Sequence, residues 1–102
     1  MKSLVDKYIK EDKRDELLEL AFKQQNNIDL KAVADYYIKV RDSFNICELI
    51  SMVSEYLDLD YVFDKIIKTN DKKFIFWIYN NNIIKNIINE KYFKYLEESL
   101  MN

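Results

Sequence analysis

The chain has 102 residues, which is enough for one domain with a modest core. Its 16 basic and 18 acidic residues leave a formal net charge of −2, which does not favour a general attraction to nucleic acid or to a membrane surface. Histidine is absent and cysteine occurs once. We therefore expect no catalytic histidine, no metal site, no cofactor and no internal disulfide, and we expect a cytoplasmic location.

Glycine and proline are both absent from the chain. β-Hairpins and nucleotide-binding loops depend on glycine for positive φ angles, and many turns depend on proline. The composition therefore predicts an all-α protein, with short helices joined by turns of asparagine and aspartate. The apolar stretch Ile83–Ile88 is interrupted by Lys85 and Asn86 and is too short to span a membrane.

A pattern that begins at Leu4–Lys10 returns at Ile28–Lys39 and again at Leu57–Lys68, each time 29 residues further along the chain. A weaker copy follows at Lys91–Glu97. An internal period of this length is typical of helical arrays. Positions 29 residues apart form a column.

Apolar residues fill four columns in each half of the repeat, at spacings of one, three and four residues that place them on one side of a helix. The first half has Leu4/Val33/Val62, Val5/Ala34/Phe63, Tyr8/Tyr37/Ile66 and Ile9/Ile38/Ile67; the second has Leu17/Ile46/Ile75, Leu18/Cys47/Phe76, Leu20/Leu49/Ile78 and Ala21/Ile50/Tyr79. We expect Ile38, Leu49 and Cys47 in the core. Asp12, Asp42 and Asp71 are predicted N-caps of the second helices.

Two columns carry opposite charges four residues apart, Asp6/Asp35/Asp64 and Lys10/Lys39/Lys68. This spacing and order predict an exposed ladder of ion pairs along the first helix of each unit. The units are 1–27, 28–56 and 57–85, followed by a closing helix at 86–100 that is bent near Asn89. The predicted fold is one domain over 1–102, a helical-hairpin repeat array of seven helices with antiparallel neighbours, wound into a small right-handed solenoid.

Two stretches of the chain resemble ankyrin repeats. Glu16–Phe22 followed by Asn26–Leu30 is similar to the helix, turn and second helix of that repeat, and Ser54–Val62 shows the same turn into Leu-Asp-Leu. The Thr-Pro-Leu-His opening and the turn glycines are missing, and the period is shorter than the ankyrin period of about 33 residues. The resemblance therefore implies a degenerate α-solenoid without the ankyrin β-finger.

Four aromatic residues stand in columns that are otherwise polar. Trp77 replaces Glu19 and Glu48, and Phe74 replaces Glu16 and Asn45; Tyr36 stands with Lys7 and Lys65, and Phe44 with Asp15 and Lys73. Because the repeat itself does not require these aromatics, they are candidate partner-binding residues. The alternative is that the closing segment folds back and buries Trp77 and Phe74.

The C-terminal third is rich in lysine, and Lys65, Lys68, Lys72 and Lys73 are candidates for a nucleic-acid face. Arginine is absent there and the lysines fall on several helix faces, which favours a solvated surface. The function indicated is a non-catalytic module that binds another protein, as a monomer or homodimer. One alternative is a small phage- or virus-encoded inhibitor of a host defence protein, or a toxin-neutralising immunity protein. The other is nucleic-acid binding through the lysine-rich third.

Overall fold

A computed structural model describes residues 2–102. These residues form eight α-helices and no β-strand, which confirms the all-α prediction. The helices are α1 (Lys2–Lys10), α2 (Arg14–Lys23), α3 (Leu30–Lys39), α4 (Ser43–Val53), α5 (Leu59–Lys68), α6 (Lys72–Tyr79), α7 (Asn82–Ile87) and α8 (Glu90–Met101).

Most of these helices begin at an aspartate or asparagine whose side chain accepts a hydrogen bond from a free backbone N–H of the first turn. The residues that do so are Asp29, Asp42, Asp58, Asp71, Asn81 and Asn89. The prediction for Asp42 and Asp71 is confirmed. It is wrong for Asp12, because the N-cap of α2 is Lys13, which makes no side-chain capping bond.

The turns that end α1, α3 and α5 share one backbone feature. Asp12, Arg41 and Asn70 have φ angles of 55°, 59° and 54°, in the left-handed region that a chain without glycine must fill with other residues. At the first two turns the following residue donates to a carbonyl five positions earlier, from Lys13 to Tyr8 and from Asp42 to Tyr37, as in a Schellman motif. Asp12 therefore shares a column with Arg41 and Asn70, all in the left-handed conformation, and this column lies one position before the N-cap.

Contacts between helices follow a regular order. Helix α1 contacts α3 and α3 contacts α5, while α2 contacts α4 and α4 contacts α6. The two sets meet where α1 packs on α2 and α3 packs on α4. At the C-terminal end, α7 packs against α4 and α6, and α8 packs against α5 and α6.

The closing segment differs from the single bent helix that the sequence predicts. Ile88 is extended, with φ −97° and ψ 155°, and Asn89 starts a new helix by accepting a hydrogen bond from the Lys91 N–H. The segment therefore forms two helices, α7 and α8, and the described part of the chain has eight helices where seven were expected.

The core lies between the two sets of helices. Ile38, Leu49 and Cys47 are buried, as predicted from their columns. Phe76 shares a column with Cys47 but is exposed. The two positions have different surroundings, because α4 lies between α2 and α6, whereas α6 is the last helix of that set.

The charged columns do not form a uniform ladder. Asp64 and Lys68 make the expected pair within α5, with 2.8 Å between carboxylate oxygen and Nζ. Asp35 instead accepts from the hydroxyl of Tyr61 at 2.9 Å and lies 3.9 Å from the Nζ of Lys65, both on α5. This column therefore links neighbouring helices as well as residues within one helix.

Candidate partner-binding surface

Trp77 lies on the outward side of α6. Asp71 caps this helix, and Phe74, Ile75 and Ile78 face the core. Trp77 is four residues from Lys73, so both project from the same side of α6, away from that core. The side chain of Trp77 is 57% exposed. Helices α7 and α8 pack against α6 without covering it, so the covered alternative does not hold for Trp77.

Phe74, by contrast, is buried, with 3% of its surface exposed. The guanidinium carbon of Arg41 lies 5.9 Å from the centre of the Phe74 ring. Arg41 is held there by hydrogen bonds from Nε to Asp71 at 3.3 Å and from Nη1 to the Ile38 carbonyl at 2.7 Å. Arg41, in the turn of the preceding unit, thus lies over the Phe74 ring, while α8 packs against the helix that carries Phe74.

The polar residues in the Phe74 column differ in their surroundings. Asn45, one unit earlier, is also buried and donates from Nδ2 to Asp42 at 2.7 Å. Glu16 is exposed, because α2 is the first helix of the set formed by α2, α4 and α6. A polar residue at this column therefore does not indicate an exposed position.

Trp77 forms one wall of a cleft of about 250 Å³. The other lining residues are Arg41, Ser43, Asp71, Lys73 and Phe74. The cleft therefore combines an exposed indole, a guanidinium group, an ammonium group and a serine hydroxyl. Asp71 is the one carboxylate among these lining residues.

The other two predicted aromatic contact residues have different surroundings. Phe44, next to Ser43 in the chain, is 66% exposed in the first turn of α4. Tyr36 is 8% exposed, and the centre of its ring lies 5.7 Å from that of Tyr37. The exposed members of the predicted set are thus Trp77 and Phe44, while Phe74 and Tyr36 belong to the core.

The four lysines proposed for nucleic acid are dispersed. Lys65 lies near Asp35, and Lys68 pairs with Asp64. Lys72 donates to the Ser99 carbonyl and lines a second cleft, whereas Lys73 lines the Trp77 cleft. The structure therefore does not bring these lysines into one cluster.

Sequence reasoning missed the second cleft, which is larger, about 910 Å³, and lies between α5 and α8. Four carboxylates and two tyrosines are among its lining residues: Asp58, Asp60, Asp64, Glu98, Tyr61 and Tyr95. Asp60 accepts hydrogen bonds from the Tyr92 hydroxyl and from Lys91, and these lower its pKa below the ordinary value, with the bond from Tyr92 having the larger effect. No local motif marks this cleft, because α8 lies some 30 residues from α5 in the chain.

Residues 2–102 contain no group of three or more Cys, Asp or Glu side chains arranged to hold a metal ion. Within the same range, no helix has both the length and the hydrophobicity that crossing a bilayer requires. Burial raises the pKa of the Cys47 thiol to about 12. In comparisons with known proteins, no family model, no curated protein and no solved structure matches this chain.

Proposed function

We propose that the protein is a non-catalytic binding module that recognises another protein through the surface around Trp77. The observation that carries this proposal is the position of Trp77, which is 57% exposed beside a cleft and stands in a column that is glutamate in both earlier units. Tryptophan is among the residues that contribute most to binding energy at protein interfaces. Phe44, also exposed, adds a second aromatic side chain on α4, the neighbour of α6.

The cleft is suited to binding because its walls are held in place by the fold. Arg41 is fixed by Asp71 and by the Ile38 carbonyl, and Phe74 is buried beneath it. A surface that is already ordered loses less conformational entropy on association than a mobile one. The side chains that must become ordered on binding are then mainly Trp77, Phe44 and Lys73.

The scaffold we propose is a repeat array, a small right-handed solenoid with units at 1–27, 28–56 and 57–85. The recurrence of left-handed residues at Asp12, Arg41 and Asn70 supports it. So does the recurrence of N-caps at Asp29 and Asp58 and at Asp42 and Asp71. Stacked units of this kind present extended surfaces on which one altered unit can form a binding site.

Site-specific photo-cross-linking tests this proposal. A benzoylphenylalanine is introduced at position 77 and, as a matched control, at position 22, since Phe22 is an aromatic residue of similar exposure, 50%, on α2. Each variant is irradiated in an extract of the cells that produce the protein, with and without nuclease. We expect a discrete protein adduct from position 77 that resists nuclease and is absent from position 22.

Three outcomes would contradict the proposal. Equal adducts from both positions would indicate non-specific contact of exposed aromatics. An adduct that disappears with nuclease would favour the nucleic-acid alternative. An adduct that contains only copies of this chain would indicate that the surface binds a second copy rather than a different protein.

A further inference from the structure

We infer that the Trp77 cleft accepts an acidic segment of the partner, in which an aspartate or glutamate lies beside an apolar side chain. The inference rests on the proposed function, because it specifies the chemistry of what binds at that same surface. It follows from the charges of the lining, from the unused hydrogen-bond donors and from the size of the cleft.

Both oxygens of the one carboxylate in the lining already accept a hydrogen bond from the chain itself. One oxygen of Asp71 accepts the capping bond from the Phe74 N–H at 3.1 Å, and the other accepts from Arg41 Nε at 3.3 Å. Asp71 therefore compensates Arg41. The lining keeps the positive charge of Lys73, whose Nζ has no carboxylate oxygen within 4.0 Å anywhere in residues 2–102.

Arg41 also retains donor capacity. Its Nε and Nη1 are bonded, but Nη2 donates to no group of the described chain. The lining of the cleft thus includes an ammonium group and a guanidinium N–H that is not already bonded, and both are donors from which a carboxylate accepts well. A partner lysine or arginine would meet like charge there instead.

Trp77 indicates that the bound segment also carries an apolar side chain. Its indole is more than half exposed, whereas Phe74 is buried and offers little further surface. A cleft of about 250 Å³ is below the usual range for small-molecule pockets, roughly 300–1,000 Å³, and suits one or two side chains of a peptide. A single uncompensated cation also matches one carboxylate better than a chain of phosphates.

Selection from a random twelve-residue peptide library tests the inference. The library is first depleted on immobilised Trp77→Ala protein and then selected on the wild-type protein, so that the retained peptides depend on Trp77. We expect enrichment of aspartate or glutamate next to leucine, isoleucine or an aromatic residue. Binding of the most enriched peptide is then measured through the emission of Trp77, the one tryptophan of the chain.

Charge reversal supplies the second measurement. Lys73→Glu should weaken binding of the selected peptide by about tenfold or more, the effect of losing a hydrogen bond between charged groups. Lys94→Glu makes the same charge change at an exposed position of α8 outside the cleft and should alter binding by less than about twofold. Thermal melting of both variants verifies that they fold.

The possible failures can be told apart. Peptides that depend on Trp77 but lack acidic residues, or that bind Lys73→Glu as well as wild type, would overturn the acidic occupant and leave the proposed function standing. Absence of any Trp77-dependent peptide would overturn both. Tighter binding of single-stranded oligothymidylate than of the selected peptide would assign the cleft to nucleic acid.

Discussion

Tyr36 and Tyr37 are adjacent in the core, with ring centres 5.7 Å apart, but of these two tyrosines only Tyr37 has a hydrogen-bond partner for its hydroxyl among the described residues. That hydroxyl donates to the Arg14 carbonyl at 2.7 Å and so joins α3 to α2. The Tyr36 hydroxyl is buried without a partner, and a buried polar group without a hydrogen bond lowers stability.

This difference predicts opposite effects of the same substitution. Tyr36→Phe should leave the free energy of unfolding unchanged or raise it by up to about 1 kcal/mol, since it removes an unsatisfied hydroxyl. Tyr37→Phe should lower it by about 1–2 kcal/mol, because the hydrogen bond that joins α3 to α2 is lost. Urea unfolding of the two variants measures both effects. Equal losses at the two positions would contradict the assigned hydrogen bonds.

A second prediction concerns the aliphatic columns. Ile38→Ala and Leu49→Ala should each lower the free energy of unfolding by roughly 2–5 kcal/mol, since both side chains are buried and their removal leaves cavities. Ile83→Ala, at an exposed position of α7, is the matched control and should cost under about 1 kcal/mol. Losses below about 0.5 kcal/mol at both Ile38 and Leu49 would mean that these columns do not form the core.

The hydrogen bond between Tyr61 and Asp35 predicts how the pKa of Tyr61 changes when Asp35 is replaced. Hydrogen bonding to the Asp35 carboxylate raises the pKa of Tyr61 above its ordinary value. Asp35→Asn keeps an acceptor but removes the charge, so the pKa of Tyr61 should fall, while stability at neutral pH changes by under about 1 kcal/mol. Spectrophotometric titration of the tyrosines should show one group moving to lower pH, and Asp64→Asn, whose partner is Lys68, should not move it.

Cys47 should make the fold less stable at alkaline pH. Its folded-state pKa of about 12 exceeds that of a free thiol. Its contribution to the free energy of unfolding is therefore fully present below about pH 8.5 and is lost as the pH rises toward 12. Cys47→Ala should therefore flatten the decline of the unfolding free energy between about pH 9 and pH 11. Urea titrations at these pH values test this; an unchanged slope would show that the thiol is not protected by burial.

The helices and most of the core could be predicted because apolar residues recur in columns. Burial of Ile38 and Leu49 follows from local periodicity alone. The capping error at Asp12 arose because N-cap and left-handed positions are adjacent, and aspartate suits both. The break at Ile88 was predicted only as a bend near Asn89, because the stretch has helical periodicity on both sides and neither glycine nor proline marks a break.

The candidate site was predictable only in part. Trp77 could be selected because it departs from a glutamate column, which is a property of the sequence. The burial of Phe74 and its contact with Arg41, which lies 33 residues earlier, arise only in the folded chain. The burial of Tyr36 could not be predicted from its column, because the lysines that share it, Lys7 and Lys65, are exposed.

The role proposed for Trp77 can be decided on a single variant, Trp77→Ala, by measuring its unfolding free energy together with its affinity for the protein cross-linked at position 77. We predict that binding weakens by about 2 kcal/mol or more, the threshold for a dominant interface residue. Because the indole is more than half exposed, the unfolding free energy should change by under about 1 kcal/mol. Unchanged affinity with a stability loss of about 3–5 kcal/mol would instead make Trp77 a core residue and contradict the proposal.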